Sequence, residues 1–275
     1  MALFGEGQYT FSDVDAAGAA ESHAAYLAQM AEVMRAERLE GLELLDLRPG
    51  STFLDAGCGV GEVVIEVASH VVPGGYAVGV DLSSELIGRA RAAGESVDGV
   101  RFEVGSVAQL AFDDATFDAV RCERVLQHLD DGAATAAVVE FMRVVKVGGR
   151  VQLVDPVHSQ HVVDCTDVGL FEMIVRRWNK LCRDPNSGIR LARRLRDAHA
   201  VNVDFDVRAL RWPSLNAWRR AIGLEQHLSA LVEATEIDEA RANAFLDDLT
   251  RRDGAGAFYA VSVSYRATGS RAGFD

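Results

Sequence analysis

The sequence predicts an α/β protein: a doubly wound, mostly parallel seven-stranded sheet with an antiparallel last strand, plus helical cap insertions. Apolar strand-length runs alternate with helical-period segments from Thr52 to Val154, as a parallel sheet with crossover helices requires. The first run, Thr52-Phe53-Leu54-Asp55, enters a glycine-rich turn and then a helical segment, the arrangement of a ligand cradle at a helix N-terminus. Beyond Pro156 the pattern changes to amphipathic helices between two alternating segments, which predicts a cap inserted before the last strands.

In chain order, residues 1–17 are weakly patterned, with Tyr9 and Phe11 as the large anchors. From Glu21 to Leu45 apolar residues recur near helical spacing, and Gly41 is expected to split this region into two helices. Leu47-Arg48-Pro49-Gly50 reads as a turn. Strands are predicted at 52–55, 77–81, 100–104, 119–122 and 150–154. The intervening helices begin near Glu62, at Glu85 with Ser83 as N-cap, and at Ala133. Thr166 to Cys182 reads as an amphipathic helix and Ile189 to His199 as another. Strands are expected at 201–210 and 257–267, with a helical insertion over 215–252. The expected domains are 1–48, a helical segment covering the site; 49–157, the ligand-binding core; and 158–275, the cap with the last two strands.

The chain has 275 residues and a net charge of −13, which argues against a nucleic-acid partner, whose phosphates need a basic footprint. Four widely spaced cysteines suit neither a metal site nor a disulfide framework, so a reducing compartment is expected. No signal-peptide pattern and no apolar run of spanning length stand out, which predicts a cytoplasmic protein without a membrane partner. The partner is therefore expected to be a small molecule, with room for a homodimer, and no metal is called for.

Asp55-x-Gly57-x-Gly59-x-Gly61, followed by Asp81 at the end of the next strand, resembles the class I (Rossmann-like) S-adenosyl-L-methionine (SAM)-dependent methyltransferases. The likeness is greatest to the ubiquinone-biosynthesis-like and bacterial natural-product small-molecule group. It continues through Phe102-Glu103-Val104-Gly105-Ser106-Val107, Phe117-Asp118-Ala119-Val120 and Val147-Gly148-Gly149-Arg150-Val151, covering residues 40–157 well. The resemblance implies SAM as cofactor and S-adenosylhomocysteine as product. It implies that Gly57, Cys58, Gly59 and Gly61 hold the methionine part and that Asp55 helps fix its amino group. Asp81 would bind the ribose hydroxyls, Leu82 would lie along adenine, and Ser106 with Val107 would meet the adenine edge. Many relatives carry an Asp where Ser106 stands. Glu123 matches a position that touches the cofactor.

His128 is the candidate general base within a family motif, with a structural imidazole as the bland alternative; His158 and His161 are second choices. Tyr9 is a candidate cover. Seven arginines between Arg176 and Arg196 could clamp an anionic substrate, although solvated helix faces explain them better. Phe171, Trp178, Trp212 and Trp218 could wall an apolar pocket or form core. The expected reaction is methyl transfer to a small apolar acceptor, with oxygen favoured over nitrogen and carbon. A dinucleotide oxidoreductase is disfavoured because the G-x-G-x-x-G spacing is missing. The remaining rival is a SAM-binding protein of the same fold that supports a different reaction.

Overall fold

A computed structural model describes residue 15 and residues 19–273. Its centre is a sheet in the order β3-β2-β1-β4-β5-β8, with β7 on the far side of β8 and the two-residue β6 pairing with the start of β8. The parallel strands are β1 (Thr52–Ala56), β2 (Tyr76–Asp81), β3 (Val100–Val104), β4 (Phe117–Glu123) and β5 (Val145–Pro156). β8 (Ala260–Arg271) runs antiparallel to both β5 and β7 (Ala200–Arg211); β6 is Val162–Val163. Central strands β1 and β2 are buried on both faces, so their residues read as continuous apolar runs rather than alternation.

Each face of the sheet carries its own helices. α3 (Glu62–Val71) and α4 (Ser84–Gly94) bury Val64, Val67 and Ile87 with Phe53 and Phe102. On the opposite face α5 (Asp131–Val144) and α7 (Leu191–Asp197) bury Phe141 and Leu195 with Leu54, Phe117 and Leu153. A third apolar cluster is the core of a cap. There α1 (Ala19–Val33), α6 (Val168–Asn179), α8 (Leu215–Ile222), α9 (Leu224–Glu233) and α10 (Glu239–Gly254) pack around Trp218, Leu170, Ile174, Leu228 and Phe245. Helix starts follow side-chain chemistry: Ser83, Asp130, Asp167, Ser214 and Asp238 each accept a backbone N–H of the first turn.

Several boundaries differ from expectation. The first helical region divides at Met34, and Gly41 lies inside α2 (Arg35–Glu43). A Cβ on Gly41 would stand 3.0 Å from Gln152 Oε1, so close packing on β5 explains this glycine. β5 begins at Val145, because Gly148 with φ +78° turns the chain within the strand instead of ending the helix after it. β8 extends to Arg271, where β7 supplies partners that the sequence does not announce. Segment 215–252 is three helices rather than one run; Gly223, at φ +64°, ends the first and opens the second. Tyr9 lies outside the described residues.

Candidate functional site

The strand order reverses between β1 and β4, and a cleft of about 220 Å³ opens beyond their carboxyl ends. The glycine loop forms its floor. Gly57 N–H and Cys58 N–H both donate to the Val80 carbonyl, at 2.7 and 3.0 Å, tying the loop to β2. Gly57 has φ +86°, and a Cβ there would stand 2.1 Å from Val125 Cγ2, so any side chain would collide with the loop after β4. Gly61 is not part of the cleft wall. It precedes α3 at φ +83°, and a Cβ would meet Phe102 at 2.5 Å; helix-to-strand packing therefore requires it. Cys58 lines the cleft as a buried thiol whose pKa burial raises well above its ordinary value.

Charges converge on this floor. Asp81 accepts from Gly59 N–H at 2.9 Å and Ser83 N–H at 3.0 Å, with Leu82 N–H also directed at it, and the carboxylate retains capacity for a further donor. Burial raises its pKa despite those bonds. Asp15 binds Ser83 Oγ–H and, at 2.9 Å, Ser84 N–H, closing the start of α4 beside it. Asp55 and Arg121 are register partners on β1 and β4, with Arg121 Nη1 3.6 Å from Asp55 Oδ1. Arg121 also pairs with Glu123, so a buried guanidinium links two carboxylates at the carboxyl edge. Burial raises the Asp55 pKa, and Arg121 opposes the rise. Arg38 of α2 lines the same wall and pairs with Glu66 at 3.4 Å. Two arginines among Asp55, Asp81 and Glu123 suit a zwitterionic amino acid joined to a sugar, each charge having a complement.

At the other end Leu82 lines the cleft while 58% exposed, an apolar surface that a flat ligand would cover. Ser106 and Val107 face the same space, and the Ser106 hydroxyl accepts from Ala108 N–H at 3.3 Å. Beyond β4 the wall continues through Arg124, Val125, His128 and Leu129. His128 closes a 3-10 turn, Leu126–His128, with its N–H donating to Val125 O at 2.9 Å. Arg124 holds φ +59°, a left-handed conformation uncommon for a long side chain. Its guanidinium binds the Tyr26 hydroxyl from α1 and covers that ring, 5.2 Å from the centroid.

A second cavity of about 50 Å³ adjoins the cleft and shares Met30, Met34 and Arg124 with it. His158, His161, Trp178 and Trp212 line it, so the two second-choice histidines fall here rather than on the cleft wall. Burial lowers both imidazoles to about 3, helped by Arg124 for His158 and by His158 for His161. Trp178 and Trp212 are pocket aromatics, whereas Phe171 and Trp218 belong to the cap core. None of the seven arginines between Arg176 and Arg196 lines either space. Arg190 pairs with Asp184, and Arg194 with Asp131 at 2.9 Å.

Sequence reasoning missed Arg38, Arg121 and Tyr26 as cleft or cavity residues. Arg121 carried a usable signal: a charge within an otherwise apolar central strand needs a buried partner. Arg38 and Tyr26 carried none, because their roles depend on how α1 and α2 cross the sheet edge.

Fold and cleft together define a doubly wound α/β protein with a ligand cleft at its switch point. Residues 53–149 match the family model described as a methyltransferase domain, a likeness to the class I SAM-dependent methyltransferases over that stretch of the chain. An uncharacterized 37.1 kDa protein in transposon TN4556 of Streptomyces fradiae is 31% identical over 225 residues, 81% of this chain and 63% of that protein. Nocamycin O-methyltransferase of Saccharothrix syringae is 35% identical over 117 residues, 42% of this chain and 41% of that protein. The chain thus spans less than two thirds of the length of these relatives. In fold it is similar to phosphoethanolamine N-methyltransferase 2 of Haemonchus contortus, solved with phosphomonomethylethanolamine and S-adenosylhomocysteine. That match has a TM-score of 0.60 at 15% identity over 96% of this chain and 60% of that one. The cofactor of this class is SAM, and a glycine floor without room for side chains, with an under-used Asp81 carboxylate, fits it.

Proposed function

We propose that the chain is a cytoplasmic methyltransferase that methylates a hydroxyl oxygen of a small, largely apolar acceptor. The second cavity carries this reading: an aromatic-walled space opens directly beside the cofactor cleft and shares one wall with it. The nocamycin O-methyltransferase likeness supports oxygen as the nucleophile. Net charge −13 supports a small acceptor over a nucleic acid. SAM supplies an activated methyl group when bound; the chain supplies binding, orientation and exclusion of water. In this reading residues 49–157 bind cofactor, and the Asp81 carboxylate accepts from the ribose hydroxyls. Gly57, Cys58, Gly59 and Asp55 hold the amino-acid end with Glu123, and Leu82, Ser106 and Val107 bound the adenine. The segment 1–48 covers the cleft, and 158–275 caps the acceptor. His128, on the cleft wall, takes the hydroxyl proton.

Asp81→Ala tests the cofactor assignment. Loss of two charge-assisted hydrogen bonds should weaken SAM by about 2–4 kcal/mol, read by titration calorimetry on folded protein. Unchanged affinity would remove the ribose assignment.

A further inference from the structure

The second cavity holds two imidazoles whose protonation can be read from their partners. Gln127 Nε2 donates to the Arg124 carbonyl at 3.2 Å, which turns Gln127 Oε1 toward His158 Nε2 at 2.6 Å. A carboxamide oxygen only accepts, so His158 carries its proton on Nε2. Cys182 Sγ lies 3.3 Å from the same nitrogen and stays a thiol, because burial pushes it up to about 12. His158 Nδ1 therefore keeps a bare lone pair, with no partner among the described residues. His161 is the opposite tautomer. Trp212 Nε1–H donates to Ser262 Oγ at 2.7 Å; the described residues offer the Ser262 hydroxyl hydrogen no acceptor but His161 Nδ1 at 2.6 Å, so it goes there. His161 Nε2 then carries the hydrogen, again with no partner among the described residues. Both residues are more than nine-tenths buried, at 7% and 8% exposure.

A buried donor and a buried acceptor left unsatisfied side by side are costly, and apolar residues would fill the space better. Their rings lie 5.9 Å apart and both face Trp178, with centroids at 4.9 and 4.3 Å. Trp178 and Trp212 line the same space and supply apolar contact for a ring. Both imidazoles are neutral. The formal charge on the cavity wall is that of Arg124, which is turned onto Tyr26.

Resting on the methyltransferase reading, we propose that this cavity recognises a neutral, apolar ring of the acceptor bearing a hydroxyl and a carbonyl. His158 Nδ1 accepts from the hydroxyl and His161 Nε2–H donates to the carbonyl. These two residues set specificity away from the reacting oxygen.

The test is equilibrium binding of four ring probes to the whole protein, read by tryptophan fluorescence and calorimetry, with S-adenosylhomocysteine titrated separately. 4-Hydroxyacetophenone carries both groups; 4-methylacetophenone and 4-ethylphenol carry one each; 4-methylbenzoate carries an anion. The first should bind about tenfold tighter than either single-group probe, the worth of one hydrogen bond each. In His158→Phe its advantage over 4-methylacetophenone should vanish, and in His161→Phe its advantage over 4-ethylphenol should. The wild-type ranking stands without the variants if they fail to fold. Equal binding of the probes, no binding by any, or tightest binding of the benzoate overturns the inference, the last marking an anion site at Arg124. S-adenosylhomocysteine binding without probe discrimination sinks the pocket assignment alone. Probe discrimination without S-adenosylhomocysteine binding sinks the methyltransferase reading and leaves the ring recognition standing.

Discussion

At the position of His128 two roles predict different measurements. As the proton acceptor, its replacement by Ala should slow a single turnover roughly 10²–10⁴-fold while SAM affinity stays intact. As a structural imidazole closing the turn after β4, its loss should lower the melting temperature and leave the rate per folded molecule nearly unchanged. Less than about a fivefold rate loss in well-folded protein removes it as the base. Arg121 shows how far single residues could be read in advance. A guanidinium inside β4 demanded a buried carboxylate, and the motif supplied Asp55 nearby, but the pairing needs the β1–β4 register. The neighbouring Arg124 was opaque, because nothing in its surroundings announces a left-handed backbone. His158 and His161 were legible as residues but not as a pair: their opposite tautomers depend on Gln127 and Ser262, 31 and 101 residues away.

Among the elements, the parallel strands and their helices were legible because each carries its own signal: apolar runs, Ser83 as a cap, glycines at the turns. The register of β7 on β8 was not, since half-exposed edge strands alternate weakly. α1 is the element whose role depends most on tertiary structure. Leu27, Met30 and Ala31 line the cleft beyond β1 and β4, and Met30, with Met34 just past the helix, enters the cap core. Its backbone hydrogen bonds are local, so its protection depends on what it covers. Hydrogen exchange in α1 should slow when S-adenosylhomocysteine binds, and slow further when a ring ligand fills the second cavity. Protection confined to the glycine loop would mean that α1 does not cover the bound cofactor.

For the whole molecule, pH acts through buried groups of opposite sign. His158 and His161 are lowered to about 3 and His227 to about 4, all chiefly by burial. The unfolded chain takes up these protons below about 6.5, so their stability is full above that pH and is lost as pH falls. At pH 5 the loss is about 2 kcal/mol for each histidine lowered to about 3. Asp155, with Ser187 at 2.6 Å and Gln127 N–H at 3.1 Å, is raised to about 7 by burial. Its folded form holds a proton that the unfolded chain releases from about pH 4 upward, so its stabilisation is lost as pH rises through 7. The melting temperature should therefore fall from pH 7 to 5. Asp155→Asn should fall more steeply there, and should gain on the wild type from pH 6 to 8. Parallel curves for the two proteins would show that Asp155 titrates normally. The wall formed by Met30, Met34 and Arg124 belongs to both spaces at once. On the proposed reading cofactor and acceptor share that partition, so a ligand in one space should change the affinity for a ligand in the other, by the same factor in either order.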